Sequence, residues 1–140
     1  MKIQVVSYID LLVLQAAMYD RKIMSRWLAA KSNPKIHPTP IQQVLHNTMG
    51  ELLFEEQLFS IFNQMRLSRS DAKMTRRGHF TDDIRMRVIS SLINEFRATL
   101  QDAERAWEFI KNRAPYTWRY SYLATIINET LRYEYESRKH

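Results

Sequence analysis

The sequence predicts an all-α fold, a bundle of four to five helices in a single domain spanning residues 1–140. Three observations carry that prediction. Apolar residues recur at three- and four-residue steps along most of the chain, the spacing of a buried helical face. Only two glycines and four prolines interrupt 140 residues, too few for the tight turns that a sheet protein needs. An apolar content of 45% at this length is enough to bury one core.

The first helical stripe comprises Ile3, Val6, Ile9, Leu11, Val13, Leu14, Met18, Ile23 and Trp27, although the run up to Val6 also fits a short strand. It should end in "AKSNPKIHPTP", where three prolines bar helix continuation. Thr39-Pro40 then reads as a helix start: Thr39 as N-cap, Pro40 at the first helical position and Gln42 closing a capping box. From Ile41 a second stripe runs through Val44, Leu45, Met49, Leu52, Leu53, Leu58, Ile61, Phe62 and Met65. Gly50 lies inside that stripe and is expected to mark a close helix contact, since it costs about 1 kcal/mol against Ala in a helix interior.

The stretch "RLSRSDAKMTRRGHFTDD" interrupts the pattern, and its apolar periodicity lapses between Leu67 and Phe80. It is expected to be a basic connecting segment near 66–81. Thr81 follows as an N-cap, with Asp82 and Asp83 placed to favour a helix dipole. The third stripe, Ile84, Val88, Ile89, Leu92, Phe96, Leu100, Ala103, Trp107 and Ile110, runs towards Arg113; a second cap at Thr99–Asp102 would split it, and Pro115 ends it.

The last helix, Thr117 to about Ser137, carries Trp118, Tyr122, Leu123, Ile126, Ile127, Leu131 and Tyr133, with Tyr116, Tyr120 and Tyr135 off that stripe. Apolar groups all round a helix predict insertion between other helices or sharing with a second subunit, hence a homodimer. The expected arrangement is two paired hairpins, one from the Met1–Glu56 side and one from the Asp82–Arg138 side, joined across the basic segment.

Function is narrowed mainly by exclusion. With no cysteine there is no disulfide framework, thiolate zinc site or cysteine nucleophile, which fits a reducing cytoplasm. Gln4, Ser7, Asp10 and Gln15 break the N-terminal apolar run, so neither a signal peptide nor a membrane span is expected. His37, His46, His79 and His140 form no E-x-x-H or H-E-x-x-H motif, so no metal site is expected. Two isolated glycines cannot build a P-loop or a dinucleotide fingerprint, so no cofactor and no small-molecule substrate are expected.

The carboxylate pairs have ordinary explanations. Glu51 and Glu55 read as solvated charges flanking an apolar stripe, and Asp82-Asp83 as the acidic start of a helix. A general acid would need a water-excluding cleft and a partner in register. Serines 68, 70, 90 and 91 stand in no nucleophile motif. The chain reads as non-enzymatic.

Binding remains. The chain is basic, 21 Lys and Arg against 15 Asp and Glu, with pI near 9.7. Between Arg66 and Arg87, seven cations face three carboxylates, a surplus of four out of the total of +6, in fewer than a sixth of the residues. Arginine dominates, and its planar fork suits phosphate oxygens. Arg69, Lys73, Arg76, Arg77, Arg85 and Arg87 are therefore the expected nucleic-acid contacts. In "KNRAPYTWRYSY", Tyr116, Trp118 and Tyr120 alternate with cations, and are expected to stack on bases or to anchor a partner. The rival expectation is an adaptor, chaperone or inhibitor that docks on an acidic protein, for which seven methionines and sixteen aromatic residues would serve.

Overall fold

The computed structural model describes residues 7–139; the expectations for Ile3, Val6, a strand before residue 7 and His140 lie outside them. The described chain is all-α, 73% helical and folded as one compact domain. Its helices number eight among the described residues, more than the four to five expected. The long stripes of the sequence are each divided by a cap or a turn.

Two helices replace the first stripe, α1 (Tyr8–Ala17) and α2 (Arg21–Ser32), split where Asp20 accepts a hydrogen bond from the Lys22 backbone N–H and starts α2. Asp10 locks the pair together. It completes a capping box with Ser7 and also accepts from Trp27 Nε1 at 2.7 Å and Lys31 Nζ at 3.0 Å.

The second stripe breaks more severely. A single turn, α3 (Ile41–Val44), is followed by a 3-10 turn at His46–Thr48 and an irregular run to α4 (Glu55–Gln64). Thr39 does not cap α3; Pro40 occupies that position without a side-chain bond, and Gln42 accepts from the His37 N–H instead. Gly50 stands in a turn outside any helix, with φ +79. A β-carbon there would collide with the Lys35 backbone, which donates its N–H to Met49 O. The close approach is real, but its partner is a loop.

The basic segment is itself largely helical. Helix α5 (Arg69–Arg76) begins at Ser68, whose hydroxyl accepts from the Asp71 N–H. It ends at Gly78 (φ +83), where Gly78 N–H bonds to Thr75 O and His79 N–H to Met74 O, the paired closure of a Schellman motif. Thr81 and Thr99 are the N-caps that the sequence indicated, and they start α6 (Asp82–Asn94) and α7 (Leu100–Arg113). A 3-10 turn at Ala114–Tyr116 leads to α8 (Tyr120–Lys139).

Packing differs from the expected hairpins. The larger core unites α3 to α7 around Phe62, Leu92, Trp107 and Ile110. A smaller core joins α1, α2 and α8 through Leu12, Val13, Trp27, Leu123 and Ile127, so the first two helices pack on the first half of the last. Helix α8 is not inserted between others: beyond Ile127 the described side chains are all exposed. Residues 52–54 stitch the two cores, since Leu52 belongs to the larger and Leu53 and Phe54 to the smaller. No helix among the described residues is long and apolar enough to cross a membrane.

Beside this stitch lies a polar nest. Glu51 is fully buried, and accepts from Lys35 Nζ at 2.9 Å and Arg113 Nε at 3.0 Å. The solvated flanking position expected for Glu51 is therefore wrong: it sits off the helix, under two cations. The His37 ring packs on Phe109 at a tilt of 44° (centroids 4.2 Å apart) with Nε2 2.7 Å from Gly50 O. Burial pushes the His37 pKa down, assisted by Lys35 and Arg113, against the opposing pull of Gly50 O and Glu51. The folded state thus binds fewer protons at this site than the unfolded chain does. Its contribution to stability is complete above the unfolded value of about 6.5 and is lost as pH falls through the lower folded value. Urea unfolding should show the wild type losing more stability than His37→Asn between about pH 7 and about pH 5; equal losses would contradict this account.

Candidate functional site: a basic groove beside an aromatic wall

Positions 69, 73, 76 and the C-cap residue 77 fall within about 100° of one another by the 3.6-residue repeat, while Asp71, Ala72 and Thr75 are the buried residues of α5. Three of these four, Arg69, Lys73 and Arg77, have no carboxylate within 4 Å among the described residues. Arg69 lies over the Phe59 ring, 5.2 Å from its centroid. Together with Arg76, Arg119, Glu55 and Phe59 they line a groove of about 490 Å³. Five cations there face one carboxylate.

That carboxylate organises the groove. Glu55, in the first turn of α4, accepts from Arg119 Nε at 2.9 Å and faces Arg76 Nε at 3.4 Å. The contact to Arg76 is an ion pair without the alignment of a hydrogen bond, and that nitrogen is sequestered from water. Arg76 is fixed instead through Nη1, which donates to Pro115 O at 3.2 Å. The bond to Glu55 raises the Arg119 pKa above its ordinary value.

Arg76, Arg119 and Glu55 also form the near side of a second hollow, completed by Asp20, Tyr116, Trp118 and Tyr122 among others. The two sequence features, the basic segment and the aromatic stretch, therefore share a border. Backbone pairing sets that border. Trp118 N–H donates to Leu53 O, Glu55 N–H donates to Trp118 O, and the two segments form an isolated parallel bridge at Phe54 and Trp118. Glu56 then accepts from the Tyr120 and Ser121 N–H groups at 2.7 and 2.9 Å, capping α8 from a helix 64 residues away.

The structure brings together Arg69, Lys73, Arg76 and Arg77 and leaves Arg85 and Arg87 outside the groove lining. Arg85 reaches Glu104, and Arg87 forms a two-pronged bond with Asp71 at 2.9 and 3.0 Å. Of the aromatic residues, Tyr116 is exposed and Trp118 half-buried beside Tyr19; Tyr120, also exposed, stands edge-on to Phe54, 5.3 Å between centroids. Tyr122, rather than Tyr120, lines the hollow. Arg119 belongs to the basic-aromatic stretch that the sequence marks, but Glu55, read there as a solvated charge, is the site residue that sequence reasoning missed; nothing local in the sequence places residue 55 against residue 119.

No protein-family model matches the chain, and neither curated proteins nor solved structures give a significant match. The site is therefore read from its own chemistry.

The trans cap on α8 is directly testable. Glu56→Ala should lower stability by about 1 kcal/mol, the usual cost of losing an N-cap acceptor. It should also speed hydrogen exchange at Tyr120 and Ser121, while exchange within α5 stays unchanged.

Proposed function

We propose that this is a non-enzymatic regulatory protein that binds nucleic acid, with phosphates seated in the α5 groove. The observation that carries the reading is the five-to-one excess of cations over carboxylates in a concave surface. Ion-paired surface arginines are common and bind nothing. Cations left without a carboxylate, converging on one groove, focus a positive potential there and attract a polyanion. Arg69, Lys73 and Arg77 are the direct contacts in this reading. Arg119, held by Glu55, and Arg76, held by Pro115 O, shape the groove and complete its charge. Arg85 and Arg87 are neutralised by acidic neighbours and contribute little.

Binding of a labelled oligonucleotide, followed by fluorescence anisotropy at several salt concentrations, tests this. Replacing Lys73 and Arg77 together by alanine should weaken binding of unrelated sequences about equally. The plot of log affinity against log salt should become shallower by roughly two, because each lost phosphate contact removes about one unit of slope. Arg85→Ala should leave the slope unchanged. No binding at low salt, or an unchanged slope in the double variant, would contradict the proposal.

A second reading has its own observation. Leu131, exposed on α8, lines an apolar hollow together with Leu11, Leu14, Met18 and Ile127. Such a surface fits a protein partner or a second copy of the chain. If a homodimer forms there, the protein should sediment as a dimer at micromolar concentration and Leu131→Glu should yield a folded monomer. A wild-type monomer at high concentration would leave this face to a different protein.

A further inference from the structure

We infer that the nucleic acid is taken as a single strand, its phosphates along the α5 groove and a base turned into the aromatic hollow across the Arg76–Glu55–Arg119 border. This rests on the proposed reading of the groove and specifies its ligand. The argument begins with the unequal charge of two adjoining surfaces. The groove holds five cations and one carboxylate, which suits phosphates. The hollow holds two of those cations, Arg76 and Arg119, balanced by Asp20 and Glu55. A neutral site lined by rings has nothing to offer a second phosphate.

It has a good deal to offer a base. Tyr116 and Tyr122 are exposed there, and Trp118 presents part of its ring. Bases stack on such faces irrespective of sequence, and the guanidinium planes of Arg76 and Arg119 supply cation–π contact at the border. The Asp20 carboxylate, in the hollow lining, offers an acceptor for the exocyclic amine of cytosine or adenine. In a duplex the base faces are covered by their neighbours, so only an unpaired strand can use both surfaces together. The border is also the tightest-held part of the site: Arg76 is tied to Pro115, Arg119 to Glu55, and Trp118 to Leu53. Phosphate and base positions are therefore set relative to each other before any ligand arrives.

Four ligands of equal length decide the matter: oligodeoxycytidylate, the corresponding RNA, a strand of the same backbone whose sugars carry no bases, and a duplex. The base-bearing single strands should bind about tenfold or more tighter than the abasic strand, given the usual worth of one stacked base. Tyr116→Ala combined with Tyr122→Ala should abolish that preference and leave abasic binding unchanged. Trp118 fluorescence should be quenched by the base-bearing strands alone, since Trp27 and Trp107 are buried. The DNA and RNA arms report which strand the site prefers; preference for either supports the inference. Equal affinity for abasic and base-bearing strands, or tighter binding of duplex, overturns it while leaving the basic groove intact as a phosphate site. Failure of all four to bind at low salt overturns it together with the reading on which it rests.

Discussion

A carboxylate with no exposure to water has to be compensated, and in this fold Glu51 determines how. Taking an ionised group out of water costs several kcal/mol even after relaxation, and only close, well-aligned cations offset that. Lys35 and Arg113 supply them from the loop after α2 and the last turn of α7. Three segments distant in sequence are thereby brought to one point. From Glu51 the chain continues into Leu52, Leu53 and Phe54, which stitch the two cores; from Arg113 it continues through the 3-10 turn to Trp118. The bridge between Phe54 and Trp118 joins the two runs a few residues later. Thr48 supports the arrangement by donating to Glu51 O at 2.7 Å while accepting from Gln57 Nε2. The walls of the groove are the continuation of this anchorage, so the placement of Arg119 beside α5 depends on a charge buried deep below it.

Glu55 has a different part. A lone carboxylate amid five cations weakens attraction for phosphate, yet it holds Arg119, a long side chain that would otherwise be mobile, beside Arg76, which Pro115 O holds. Ordering them in advance reduces the entropy lost on binding. Among the described residues, Arg69, Lys73 and Arg77 have no such tether to a carboxylate, which would let them adapt to a backbone of variable path in the proposed complex. A rigid border and an adaptable floor is a suitable division for a strand whose phosphates are regularly spaced and whose bases differ.

Helical character, the caps at Thr81 and Thr99, and the stop at Pro115 could all be read from the chain, because each depends on residues within a turn of one another. Helix α5 escaped notice although both of its end signals, Ser68 and Gly78, are plain in the sequence. Its inward face is Asp71, Ala72 and Thr75, too small and polar to register as an apolar stripe. The break between α3 and α4 was hidden for the opposite reason: Met49, Leu52 and Leu53 keep helical spacing while the backbone turns at Met49 and Gly50. Long-range charge pairing was beyond reach. Glu51 meets Arg113, and Glu55 meets Arg119, across more than sixty residues, and nothing near either glutamate announces its burial or its partner. The cationic side of the candidate site was legible as a charge cluster; its meeting with the aromatic stretch was a property of the fold.

The central claim is that α5 and residues 115–122 act as one surface. Hydrogen exchange of the backbone amides, measured with and without a short single-stranded oligonucleotide at low salt, addresses it most directly. The account predicts slowed exchange in both segments together, at the same ligand concentration, with α6 and the outward part of α8 unaffected. Protection confined to α8 and α1, or protection of α5 without residues 115–122, would contradict it.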